Sequence, residues 1–193
     1  MKKFKLTSEF IVDISGVKLF RIKALIEFGN VKAGDLGGYI EKEENLSHMG
    51  NAWVSGDTRI SGDAQVSGDA RVFGDARVSG NAWVSGDTRV SGDAWVFGDA
   101  RVSGNARVSG DAQVSGDARV SGDKDYAYAH GFGSCNRTTT FFRLKDGDVG
   151  VRCGCFYGTL AQFRDKVCET HGETKKAQEY LMLADLMEIR FKN

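Results

Sequence analysis

Residues 51–122 are twelve consecutive hexapeptides, opening NAWVSG DTRISG DAQVSG and closing DAQVSG DARVSG, with no insertion between them. An unbroken period this short constrains the fold more than any other feature, because a single unit cannot bury its apolar face and must stack on its neighbours as a solenoid. Every sixth residue is β-branched and apolar, from Val54, Ile60 and Val66 to Val120, and two positions before each stands Ala or Thr, from Ala52 and Thr58 to Ala118. The interior is then lined by one aliphatic and one small side chain per unit and has no room for anything larger. Gly followed by Asp or Asn at every junction supplies a tight turn, since Gly tolerates positive φ and Asx side chains bond the local backbone.

This pattern resembles the hexapeptide signature of left-handed parallel β-helices. The resemblance implies a strand and a turn per hexad and three hexads per triangular coil. It also implies the hand, which the period alone leaves open. Twelve hexads would make about four coils, a rod roughly 19 Å tall at about 4.8 Å per rung. The expected fold class is mainly β: a left-handed β-helix over 51–122, an N-terminal β cap over 1–50 and a C-terminal α+β module with two helices over 123–193.

In the first segment, Phe10-Ile-Val-Asp-Ile and Val17-Lys-Leu-Phe-Arg-Ile-Lys-Ala-Leu flank Ser15-Gly16 and read as a hairpin. Leu46 falls in the small-residue register of the repeat, which suggests an imperfect thirteenth hexad. A solenoid end exposes unpaired backbone and must be covered, which gives residues 1–50 their structural reason. The run GDLGGYIEKEENLSHMGNAWV, followed by hexads, is similar to the leader of a group of bacterial and prophage hexapeptide-repeat proteins that includes the enterobacterial YdcK type. That resemblance covers residues 1 to about 122 and carries fold without a settled activity.

After Gly122 the period stops. Thr138-Thr-Thr-Phe-Phe-Arg-Leu and Val149-Gly-Val-Arg-Cys-Gly-Cys-Phe read as strands joined by a turn at Lys145-Asp-Gly-Asp. Thr159 is placed to cap a helix through Leu160, Phe163, Val167 and His171 that Gly172 closes. Thr174 can start a second helix, to about Arg190, with Ala177, Tyr180, Leu181, Ala184 and Met187 on one face. Apolar residues off that stripe point to a second buried surface, and Tyr180, Leu183, Leu186 and Met187 are the candidate oligomer interface.

Lys plus Arg and Asp plus Glu number 26 each, so the net charge of zero weighs against a nucleic-acid partner. The opening Met1-Lys-Lys-Phe-Lys leads into an alternating segment, so neither a signal peptide nor a membrane span is expected, and the expected location is cytoplasmic, that of the host cell if the protein is phage-encoded. Four cysteines, Cys135, Cys153, Cys155 and Cys168, are then expected as reduced thiols.

Acyl transfer is the enzyme hypothesis, because many proteins resembling this repeat are acetyltransferases that use a histidine base. The hexads contain no histidine, which leaves His48 before the rod and His130 after it as the bases to consider. Cys153, Cys155, Cys168 and His171, with Cys135, form a weak candidate metal set, because Cys-x-Cys is not a recurrent zinc spacing; packed thiols are the plainer reading, and no cofactor is expected.

The outward position between the small and aliphatic residues carries seven Arg, three Trp and two Gln. Residues eighteen apart should stack, giving the columns Trp53, Arg71, Arg89, Arg107; Arg59, Arg77, Trp95, Gln113; and Gln65, Trp83, Arg101, Arg119. Each column sets a Trp one rung from an Arg, as cation–π pairing requires. The stacked arginines need compensation, supplied on the plainer reading by turn aspartates such as Asp57, Asp75, Asp93 and Asp111, or otherwise by an anionic ligand. Phe73 and Phe97 replace serine at an outward position and are candidate anchors.

Taken together, the sequence points to a non-enzymatic binding and assembly protein. A rigid β-helix presents a C-terminal module to a protein partner, a host macromolecular complex if the chain is a phage-encoded antagonist of host defence. It is expected to be a homo-oligomer, a trimer or a dimer. The alternatives are a hexapeptide acyltransferase and sequestration of a small anionic nucleotide.

Overall fold

Each hexad folds as a two-residue strand followed by a turn whose glycine lies at φ +58 to +77, from Gly50 through Gly116. The computed structural model describes residues 1–134 and 136–192. Twelve such strands, β4 to β15 in chain order from Trp53–Val54 to Arg119–Val120, wind into a parallel β-solenoid with a register of eighteen residues: Arg71 pairs with Arg89, Arg77 with Trp95 and Trp83 with Arg101. Backbone hydrogen bonds between rungs run the whole height, as in Ser67 N to Val84 O at 2.9 Å, Ser85 N to Val102 O at 2.9 Å and Ser103 N to Val120 O at 2.8 Å. The repeated valines and alanines are almost completely buried. Thr58 and Thr88 occupy small-residue positions because each hydroxyl donates to a carbonyl three residues back, Ser55 O and Ser85 O.

The rod is taller than the hexads alone. Strands β1 (Phe4–Val12), β2 (Lys18–Ala24) and β3 (Leu36–Ile40) form antiparallel pairs, and β3 then lies parallel on the first coil, so one seven-stranded sheet runs from the N-terminal hairpin up one face of the rod. Tyr39 pairs with Arg59 and Leu46 with Val66, both twenty residues apart, which adds an incomplete fifth turn to the four expected. Leu46 therefore lines up with the aliphatic position of the coil above, not the small one as its register suggested. The two extra residues fall between Leu46 and Val54, where Met49 is 79% exposed.

The open end of the first coil is closed by side chains. Asn45, fully buried, donates from Nδ2 to Gly62 O at 3.0 Å and Ala64 O at 2.8 Å, while its Oδ1 accepts from Lys42 N. Lys3 does the same on another face, donating from Nζ to Ala52 O at 2.8 Å and Gly50 O at 3.3 Å beneath the Phe28 ring. A buried carbonyl without a donor would cost about 1–3 kcal/mol, so these contacts are what let the end be covered.

Burial lowers the Lys3 ammonium from 10.5 to about 8, against a smaller opposing pull from Asp69. Between pH 8 and 10.5 the unfolded chain holds this proton more tightly than the folded one. Stability should accordingly rise with pH across that window, by up to ~3 kcal/mol, and the burden is fully present below it. Lys3→Met should abolish this rise in urea titrations run from pH 7.5 to 10.5; parallel curves for the two proteins would contradict the assignment.

At the other end, β16 (Tyr126–Phe132), β17 (Arg137–Arg143), β18 (Val149–Cys153) and β19 (Phe156–Thr159) form an antiparallel sheet in sequence order. β16 follows directly where the hexad period stops, and no turn or repeat signal marks it. β17 is buried on both faces: Phe142 joins the core of the rod, and Phe141 the core beneath the helices. Thr140 Oγ1 accepts from Gln113 N at 2.9 Å, and the Asp125 carboxylate accepts from Ser121 N and Ser121 Oγ, finishing the last coil.

Helices α1 (Leu160–His171) and α2 (Lys175–Phe191) start where their caps stand. Thr159 and Gln162 make a reciprocal capping box, and Thr174 Oγ1 accepts from Ala177 N. Ala177, Tyr180, Ala184, Met187 and Phe191 form the buried face of α2. No helix among the described residues is long and apolar enough to cross a membrane.

Candidate functional site

Three faces of the rod divide the outward residues into three columns, and one of these columns lines a cleft. On that face Trp53, Arg71, Arg89 and Arg107 stand in consecutive rungs. The chain between β2 and β3 folds over its lower end, where Phe28 meets the Trp53 ring edge-on at 5.5 Å and leaves Trp53 8% exposed. The result is a cleft of about 580 Å³ lined by Asn30 and Asp35 of the loop, Leu36 at the start of β3, Arg71 and Arg89, and by Phe73, which is 41% exposed. A second recess of about 370 Å³ reaches the same two arginines past Asn51, Asp69 and Asp87. One rung higher, Arg107 borders a third of about 410 Å³ with Tyr128 and Arg190.

The charge balance of this face differs from the sequence expectation. Among the described residues, no carboxylate comes within ion-pair distance of Arg71, Arg89 or Arg107, and none of their guanidinium groups donates a hydrogen bond within the protein. The turn aspartates thus leave these arginines without direct partners. Three guanidiniums carried on rungs about 4.8 Å apart repel one another unless an anion lies among them.

The other candidate binding residues belong to different faces. Arg101 sits over the Trp83 ring at 5.6 Å, the single column in which the expected cation–π pair forms. Trp95 instead packs against Phe97 at 4.4 Å and donates from Nε1 to Ser79 Oγ, and Arg77 one rung below is exposed. Phe97 is half-covered by Arg152, whose guanidinium lies 5.3 Å from the ring. The structure therefore brings Trp53, Phe73, Arg71 and Arg89 together, with Arg107 adjacent, and places Arg77, Trp95, Phe97, Trp83 and Arg101 elsewhere. Asn30, Asp35 and Leu36 were missed because a loop that folds back over a rod carries no local signal of where it lands.

The two histidines considered as bases lie at opposite ends of the rod. His48 stacks on Phe4 at 4.3 Å, its Nδ1 accepts from Lys3 N at 3.2 Å, and its buried Nε2 faces Glu43 at 3.7 Å. Nδ1 is engaged, and Nε2, which has no hydrogen-bond partner among the described residues, is buried against Glu43. His130 is exposed, with Nδ1 2.9 Å from Thr138 Oγ1 and 3.8 Å from Asp111.

Cys153 ends β18, within 3.2 Å of Thr139 Oγ1, but Cys155 is in the turn after Gly154 and exposed, so the two do not share a strand face as their spacing suggested. Cys153, Cys155 and His171 border one recess of about 280 Å³, and Cys168 is exposed outside its lining. Among the described residues no three such groups are placed to hold a metal ion, and Cys135 lies outside those residues. Of the candidate interface residues, Tyr180 and Met187 are 3% and 6% exposed in the chain's own core, Leu183 is half-buried, and Leu186 faces outward. The exposed apolar stripe of α2 is instead Met182, Leu186 and Ile189.

A family model described as the YdcK β-solenoid repeat matches residues 64–80, 70–86, 76–92, 100–112 and 112–123. All of these lie in the rod and its last turn, and together they cover well under half of the chain. With the observed coils they support a repeat β-solenoid. No curated protein matches the chain.

Proposed function

We propose that this chain is a non-catalytic binding and assembly protein, in which a rigid solenoid holds a sheet and two helices that recognise a protein partner in the cytoplasm. The observation that carries this reading is the outer face of α2. Met182, Leu186 and Ile189 follow one another at four and three residues, 70%, 55% and 71% exposed, with the helix's other apolar face already buried. A helix apolar on two sides is completed by a second chain, and the Asp185 and Glu188 carboxylates beside the stripe are already engaged by Arg164. The rod below suits such a role because its rungs are bonded to one another along its height. Against acyl transfer, His48 has Nδ1 engaged and Nε2 buried, while His130 lies at the opposite end of the rod.

The test compares tagged full-length protein with Leu186→Glu/Ile189→Glu in capture from the native host. Both positions are exposed, so the fold should be kept. A partner retained by the first and lost by the second supports the reading, and sedimentation equilibrium shows whether that partner is another copy. Equal retention by both proteins would remove recognition from α2.

A further inference from the structure

The arginine-floored cleft lies on the rod, away from α2, and its chemistry is different. We propose that it binds a small nucleotide carrying at least two phosphate charges, with the phosphates on Arg71 and Arg89 and the base against Phe73. Three features of the cleft lead there. The two guanidiniums are carried on adjacent rungs about 4.8 Å apart and have no direct partner among the described residues, so a di- or polyphosphate can engage both forks at once. Phe73 stands at the position that is serine in the hexads above and below it on this face, Ser55 and Ser91, and is 41% exposed where Trp53 in the same cleft is 8% exposed, so it offers an accessible aromatic face beside the arginines. Asn30 and Asp35 on the facing loop supply an amide donor and a carboxylate acceptor for ribose hydroxyls or a base edge.

Size and charge select the ligand class. About 580 Å³ is within the range of small-molecule sites and matches one nucleotide or a dinucleotide. The loop wall closes the lower end of the ladder, and Asp69 and Asp87 flank its floor, which disfavours an extended polyanion running along the rod. A single-stranded nucleic acid would want a longer basic track with repeated stacking platforms.

Isothermal titration calorimetry of the full chain tests this with ADP, inorganic pyrophosphate, adenosine and a short oligothymidylate. ADP should bind with one site per chain and weaken with salt, pyrophosphate should bind about tenfold more weakly for want of the stack, and adenosine should give no heat. Arg71→Ala/Arg89→Ala should lower ADP affinity by about 100-fold, and Arg71→Lys/Arg89→Lys should fall between, keeping charge but losing the forks. Phe73→Ala should cost about tenfold for ADP and leave pyrophosphate unchanged. Arg101→Ala on another face, and Leu186→Glu/Ile189→Glu on α2, should bind ADP as the wild type does, which separates this site from the recognition surface. Circular dichroism confirms that each variant is folded. Absence of heat with both ADP and pyrophosphate, equal affinity in the double alanine variant, or oligothymidylate displacing ADP at lower concentration would each overturn the assignment.

Discussion

Val84→Asp should destabilise the protein by about 4 kcal/mol or more at pH 7, lowering its melting temperature by roughly 8–16 °C for a chain of this size. Val84 has no exposed surface and packs in the centre of the rod among Val66, Val102 and the small residues of its own coil. A carboxylate there has no donor to meet, and the coil cannot open to water without breaking the rungs above and below. The carboxyl would take up a proton to escape the penalty, so part of the loss should be recovered as pH falls toward 5. Gln65→Asp, at the exposed outward position one rung below Trp83, should change stability by no more than about 0.5 kcal/mol. Thermal melts of the pair at pH 7 and pH 5 check both statements, and similar melting temperatures at pH 7 would mean that Val84 does not face inward.

Gly86→Ala should cost about 2–4 kcal/mol, for two reasons that the structure separates. The backbone at Gly86 has φ +71, a conformation that costs an L-residue about 1–2 kcal/mol. In addition, a Cβ there would lie 2.7 Å from Gly104 O and 3.0 Å from Gly104 N, the backbone of the next coil, so two rungs must separate to admit it. Gly110 has nearly the same φ, +64, but its Cβ would meet the hydroxyl end of Tyr128 at 2.9 Å, and a side chain can swing away. Gly110→Ala should therefore show the backbone cost alone. Urea unfolding of the two variants gives the difference directly, and equal losses would show that the coils are not stacked corner on corner.

These glycines illustrate how much of the fold was legible. Their turn role follows from the Gly-Asp and Gly-Asn junctions, a local property of the chain. The near approach of one glycine corner to the next depends on the eighteen-residue stack, and the period disclosed that too. Helices α1 and α2 were legible for the same reason, because Thr159, Gly172 and Thr174 act within a few residues of themselves. Leu46 was misplaced because two residues bulge out at Met49, and no periodic signal marks an insertion where the period has not yet begun.

The candidate site was half legible. Trp53, Arg71 and Arg89 came from the columns and Phe73 from its replacement of serine, whereas the wall of Asn30, Asp35 and Leu36 arises from a fold-back that local sequence does not encode. Likewise, Lys3 and Asn45 read as surface residues by type and become buried plugs only because the first coil has carbonyls to satisfy. On α2 the helix was correctly bounded, but which of its two apolar sides faced the sheet depended on where Phe141 and Phe163 stood.

The stacking of residues eighteen apart underlies the interior, the arginine floor and the glycine corners alike, and oxidative cross-linking reads it out. In a background with the four native cysteines replaced by serine, Ser85→Cys/Ser103→Cys places two thiols in neighbouring rungs on one face, joined by the bond from Ser85 N to Val102 O. Rung spacing of about 4.8 Å falls in the Cα separation that a disulfide spans, so this pair should oxidise rapidly and nearly completely within one chain. Ser85→Cys/Ser109→Cys, twenty-four residues apart and on different faces, should remain reduced under the same conditions. Cross-linking of the second pair in preference to the first would contradict the eighteen-residue coil.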